Sequence, residues 1–148
     1  MRPPTMRRVR VLAVDFGEKR IGLAVSDETG RVVVPVGAVP RASDARAAAL
    51  VARAAKERDV SRLVVGLPRN LDGSEGLVAR RARSFARRLG EACGLPVDLH
   101  GEALTSVAAE AALDEAGIPA RRRALSRDAE AAAVLLRDWL AARADGAA

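Results

Sequence analysis

The sequence predicts an α/β domain, a five-stranded mixed sheet in the order βββαβαβαα flanked by helices. Three observations lead there. Near the N-terminus, three β-branched-rich apolar runs are joined by short polar turns, the pattern of a meander. From Ala42 onward, stretches of helical period alternate with short Val/Leu runs, and strands separated by helices pair in parallel through right-handed crossovers. A chain of 148 residues also suits one ordinary domain with a real core and is too short for two well-developed ones.

Val9 to Val14 is almost continuously apolar, as expected of a strand buried on both faces. Ile21 to Val25 reads as the second strand and Val32 to Val39, after the turn Asp27-Glu28-Thr29-Gly30, as the third. Ala42 to Arg58 sets Ala47, Leu50, Val51 and Ala54 on one helical face, with Ser43 or Asp44 as N-cap. Leu63 to Gly66 is the next strand, Ser74 to Cys93 a helix capped by Ser74, and Pro96 to His100 the last strand. Thr105 to Ala116 and Ser126 to Ala144 complete the helices. Residues 9–143 are expected to form one domain, between a flexible N-terminus at 1–8 and a disordered tail at 144–148. No internal repeat is visible.

Lys+Arg total 25 against 19 for Asp+Glu, a formal net charge of +6, which suits anionic partners such as nucleic acid. Only Lys19 and Lys56 are lysines, so the arginine bias also fits a GC-rich genome. Cys93 is the single cysteine; this excludes an intrachain disulfide and a cysteine zinc site and points to a reduced, cytoplasmic setting. The apolar stretch that follows MRPPTMRRVR is broken by Asp15 and is far shorter than the ~20 residues of a membrane span. Neither a membrane anchor nor export is expected. Tyrosine is absent and Phe16, Phe85 and Trp139 are the only aromatics, so no base-stacking platform is in view.

Four stretches carry chemistry. Asp15, at the end of the first apolar run with Gly17 behind it, is either a simple Asp-x-Gly turn or a metal ligand beside a glycine that admits an anion, with Lys19 and Arg20 near the phosphates. The loop Gly66 to Ser74 is rich in turn formers, which do not account for Arg69 or Asn70; these are candidate substrate contacts. Glu102 follows the last strand, and in a parallel sheet the C-terminal strand ends share the edge where ligands collect. Thr105 or Ser106 can cap the helix beyond it. His100, the one histidine, reads as a packed or merely nearby imidazole. Asp128 heads a helical face continued by Ala132, Leu135 and Trp139. It is placed there either by the helix dipole or, over the small Ala131 and Ala132, to meet Asp15 and Glu102. Three such carboxylates suit a hard cation, Mg²⁺ or Mn²⁺. Two of these ions about 3.5 to 4 Å apart activate a water and stabilise the leaving oxygen of a phosphodiester.

VDFGEKRIGLAVSD, LVVGLPRNLDGSEG, the helix with Phe85, VDLHGEALTS and RDAEAAAVLL together resemble the YqgF family, also called RuvX, of proposed Holliday junction resolvases and pre-16S rRNA nucleases. The likeness runs from about Val11 to Leu140. It implies an RNase H-like fold and a metal-dependent nuclease that processes the 5′ end of pre-16S rRNA or resolves branched DNA. On the family's motifs the catalytic, metal-binding acids fall on Asp15, Glu102 and Asp128; Gly17, Lys19, Arg20, Arg69, Asn70, Thr105 and Arg127 are expected on substrate. The lysine that the family often places shortly before the last acid is missing, with Arg127 as its expected substitute. The chain departs from the family's Asp-Glu-Arg-Leu, having Gly101-Glu102-Ala103-Leu104. That departure motivates a second reading, a non-catalytic nucleic-acid or ribosome-associated binding module. A third comes from Asp15-Phe16-Gly17, which resembles the phosphate loop of actin-like ATPases; those enzymes close two such domains over ATP, and this chain holds one. Cutting both strands of a junction would call for a homodimer.

Overall fold

The N-terminal apolar run is the middle strand of the sheet, and both of its faces are covered. β1, Val11–Phe16, sends Leu12, Val14 and Phe16 into one apolar layer and Val11 and Ala13 into another. The computed structural model describes residues 9–68, 76–102 and 120–146. β2, Arg20–Ser26, pairs antiparallel with β1, and β3, Val33–Pro40, antiparallel with β2. On its other side β1 runs parallel to β4, Arg62–Pro68, and β4 parallel to β5, Val97–Glu102. The strand order is β3-β2-β1-β4-β5. The expected mixed five-stranded sheet is therefore present.

Two boundaries explain themselves. β1 continues past the predicted end at Val14, because Phe16 still packs into the core while Asp15 between them points to the other face. Gly30 closes the β2–β3 turn at φ 74° and donates its N–H to the Asp27 carbonyl at 3.2 Å. Glycine adopts that left-handed conformation without steric cost.

α1, Asp44–Glu57, and α2, Leu77–Cys93, pack on each other over one sheet face. Ser43 caps α1 by accepting the Arg46 N–H at 3.1 Å. α2 carries the fully buried Phe85, whose ring centroid lies 5.1 Å from that of Phe16. The N-cap of α2 is Gly76, with no side-chain cap hydrogen bond; the cap expected from Ser74 is thereby corrected, and Ser74 lies outside the described residues.

α3, Ala120–Gly146, covers the opposite face. Ala132, Ala133, Leu135, Leu136 and Trp139 pack on Val11, Ala13, Ala24 and Val64, so the helical face read from the sequence is the one that docks. The helix begins at Ala120 rather than Ser126. The predicted helix over 105–116 lies outside the described residues. No helix among the described residues is long and apolar enough to cross a membrane.

Candidate active site

The C-terminal ends of β1, β4 and β5 share one edge of the sheet, and β2 starts there. Val14 is level with Val65, Gly66 with His100 and Pro68 with Glu102, while Asp15 faces Gly22 across the antiparallel ladder. Asp15 shares its strand face with Val11 and Ala13, which pack against α3, and is half-buried. On β5, the side chains of Asp98 and His100 reach α3 through Arg143, at 3.6 Å, and Asp138, at 2.6 Å, and Glu102 is the last residue of the strand.

α3 brings the second acid. It touches β2 at Gly22, where a Cβ would overlap the carbonyl of Asp128. Asp15, Gly22 and Asp128 are thus successive neighbours from strand to strand to helix. Arg20, the first residue of β2, donates from Nε to Oδ2 of Asp128 at 2.6 Å, with both side chains mostly shielded. Asp128 lies about two turns inside α3, and helix-dipole stabilisation is confined to the terminal turn. The reading of Asp128 as a residue of the helix start is therefore corrected; Arg20 and the close approach at Gly22 account for its place.

The β1–β2 loop is pinned from α1's side. Arg41 donates from Nη1 to the carbonyls of Gly17, at 3.3 Å, and Glu18, at 3.2 Å, and from Nε to Asp44 Oδ1 at 3.0 Å. Its backbone N–H reaches the Lys19 carbonyl at 3.0 Å, and its guanidinium sits 4.3 Å over the Phe16 ring. Sequence reasoning passed over Arg41, because its partners are backbone carbonyls that leave no residue pattern. Gly17 is demanded by the turn itself, since a Cβ there would overlap the Arg20 carbonyl. Lys19 is exposed and Arg127 half-buried. His100 meets Asp138 on α3, in keeping with an imidazole tied into the structure. Arg69, Asn70 and Thr105 lie outside the described residues.

Among the described residues no group of three histidine, cysteine or acidic side chains is close enough to hold a metal. The donor chemistry on the edge nevertheless fits a hard cation: Asp15 and Asp128 flank Gly22, both offer carboxylate oxygens, and Mg²⁺ and Mn²⁺ prefer oxygen ligands.

A family model described as RuvX: Holliday junction resolvase matches residues 9–142. A protein of Anaeromyxobacter dehalogenans named "Putative pre-16S rRNA nuclease" is 49% identical over 136 residues, spanning 92% of this chain and 99% of that one. One of the same name from Chloroflexus aurantiacus is 41% identical over 133 residues, 90% of this chain and 87% of the relative. Among solved structures, Thermus thermophilus RuvC superposes with a TM-score of 0.56 at 18% identity, covering 92% of this chain and 96% of that one. The same protein in complex with Holliday junction substrate gives 0.54 at 20% identity, covering 90% and 95%. At those identities the likeness establishes the RNase H-like fold.

Proposed function

The chain belongs to the RuvX family of Holliday junction resolvases, and from that premise we propose that it is a divalent-metal-dependent nuclease. Its substrate is structured nucleic acid, either the 5′ end of pre-16S rRNA or branched DNA, in the cytoplasm. The observation that carries this reading is that Gly22 has Asp15 as its ladder partner and the Asp128 backbone carbonyl against it, at the sheet edge where ligands of such folds collect. Glu102 ends β5 at that edge. These three acids would hold Mg²⁺ or Mn²⁺, and the bound cation supplies activation of water and stabilisation of the leaving oxygen.

The chain's own residues do the rest. Arg20 fixes one carboxylate rotamer of Asp128 and balances its charge. Arg41 holds the Gly17 to Lys19 loop, which leaves the exposed Lys19 ammonium turned to a phosphate. Arg69, Asn70, Thr105 and Arg127 complete the substrate contacts in this proposal. On a four-way junction two strands must be cut, and a homodimer belongs to that branch of it.

The test is cleavage of labelled pre-16S rRNA, single strands and a four-way junction in Mg²⁺ or Mn²⁺, by wild type, Asp15→Asn and Glu102→Gln. We expect wild type to cut one of the structured substrates and both variants to lose that activity. Cleavage retained by Asp15→Asn removes the assignment. Salt-sensitive binding without any turnover by wild type would instead select the binding module suggested by Gly101 and Ala103.

A further inference from the structure

α2 presents a face rich in arginine, most of whose charge is unpaired among the described residues. Arg80, Arg81, Arg83, Arg87 and Arg88 are all exposed, and Glu91 is the only acid in the helix. Arg80, Arg81, Arg87 and Arg88 make no ion pair among the described residues. α1 differs: it carries Arg46, Arg53 and Lys56 against Asp44 and Glu57, and Arg53 is paired with Glu57 at 3.0 Å. Like charges three and four residues apart, as in Arg80, Arg83 and Arg87, cost a helix roughly 0.2–0.5 kcal/mol a pair. A preference for arginine over lysine along the chain accounts for the residue type; it does not account for Arg80, Arg81, Arg87 and Arg88 standing together on one helix without an ion pair among the described residues.

The array has a direction. α2 enters the fold after β4, whose C-terminal end lies on the acid edge, and its last turns lie beside the start of β5, where Gly90 is placed against Val97. Arg80 is therefore nearest the acids, and Arg88 is about 12 Å further along the helix axis. That length spans several phosphates of a duplex strand, which follow one another at about 3.4 Å of axial rise. Guanidinium groups match phosphate oxygens in geometry as well as charge.

We propose that the outer face of α2 is a second phosphate-binding surface, separate from the carboxylate site, that holds a double-helical arm of the substrate as it leaves the cleavage edge. The proposal deepens the nuclease reading and rests on it for the identity of the polyanion. The recognised chemistry is the sugar-phosphate backbone of a duplex, which both DNA and RNA supply.

Binding is measured with the full chain as Asp15→Asn, in the absence of divalent metal, to a labelled four-way DNA junction and to a labelled RNA hairpin, over a series of KCl concentrations. The α2 variant carries Arg87→Ala with Arg88→Ala, and a control on α1 carries Arg46→Ala with Arg53→Ala. Alanine is the best helix former, so neither pair threatens its helix. We expect the slope of log K against log salt to fall by about 2 in the α2 variant, about one per phosphate contact removed, and to stay near the parent value in the control. A fall on both probes supports backbone recognition common to the two; a fall on one names that nucleic acid as the occupant. Equal slopes in the two variants, or no binding of either probe by the parent, overturn the proposal. Cleavage by wild type is scored separately: a reduced slope with no cleavage would sink the nuclease reading and leave the α2 surface standing.

Discussion

Gly22 of β2 lies under the Asp128 carbonyl of α3 with no room for a Cβ between them. The contact sets how near the last helix comes to the sheet at the point where Asp15 is Gly22's ladder partner. Gly22→Ala must lift α3 there, and overpacking of this kind costs about 1–3 kcal/mol. We expect a lowered Tm and cleavage reduced by more than tenfold. Gly90→Ala is the contrast: its Cβ would meet Val97 at an ordinary 3.6 Å, and alanine in a helix interior is worth roughly 0.5–1 kcal/mol over glycine. Thermal unfolding of the two variants with opposite signs is the expected result; an unchanged Tm in Gly22→Ala would refute the packing argument.

Arg20 and a bound cation would compete for the same carboxylate of Asp128. Arg20→Ala should cost about 1–2 kcal/mol, the range of a charge-assisted hydrogen bond that is partly screened. It should also make the protein more responsive to metal. Melting curves with and without Mn²⁺ should show a larger stabilisation in the variant than in wild type, and equal shifts would argue against Asp128 as a ligand.

Asp27 ties the β2–β3 turn. The Thr29 hydroxyl, at 2.7 Å, does most to hold its carboxyl below the ordinary value of 3.8, and the backbone N–H groups of Val32 and Arg31 add to this. A carboxyl with a lowered folded-state pKa favours the folded state fully above the ordinary value and loses that contribution as pH falls through the lowered one. Wild type should therefore exceed Asp27→Ala in stability at neutral pH, and the gap should close in acid below 3.8. Urea denaturation of both proteins across that range measures it; a gap independent of pH would exclude the carboxylate as its source.

Arg41 holds the β1–β2 loop through the Gly17, Glu18 and Lys19 carbonyls. Replacing it with Lys keeps the charge and loses the fork by which Nε holds Asp44 while Nη1 reaches the Gly17 and Glu18 carbonyls. We expect Arg41→Lys to raise KM several-fold with a smaller change in kcat, as steady-state cleavage kinetics would reveal. A fall in kcat at constant KM would mean that the loop serves the reaction step rather than binding.

Much of the fold was legible because its signals are local. β1 is buried on both faces and is written as a continuous apolar run; the β2–β3 turn carries its glycine at the one position with positive φ in that turn. The start of α3 was read six residues too late because Arg121, Arg122 and Arg123 carry no apolar period; the available sign was Pro119, just before the first helical residue. In the candidate site, Asp15 and Glu102 stand out in the sequence as acids at strand ends and Asp128 as an acid heading an apolar helical face. Their supports do not. Gly22 looks like any glycine in a strand until α3 is laid across it, and Arg20 read as a phosphate contact before the fold joined it to Asp128, 108 residues away. Such long-range relations are set by docking and leave no spacing to count.

That separation has a consequence for synthesis. Asp15 is synthesised 113 residues before Asp128, and among the described residues it is α3 that covers the sheet face of Val11, Ala13, Ala24 and Val64. A nascent or truncated chain without α3 lacks Asp128 and, by the same omission, leaves those apolar residues without the helix that covers them, a surface that proteases and chaperones recognise. On the carboxylate site proposed above, such unfinished copies would leave the nucleic acid around them uncut and be conspicuous to the machinery that removes them.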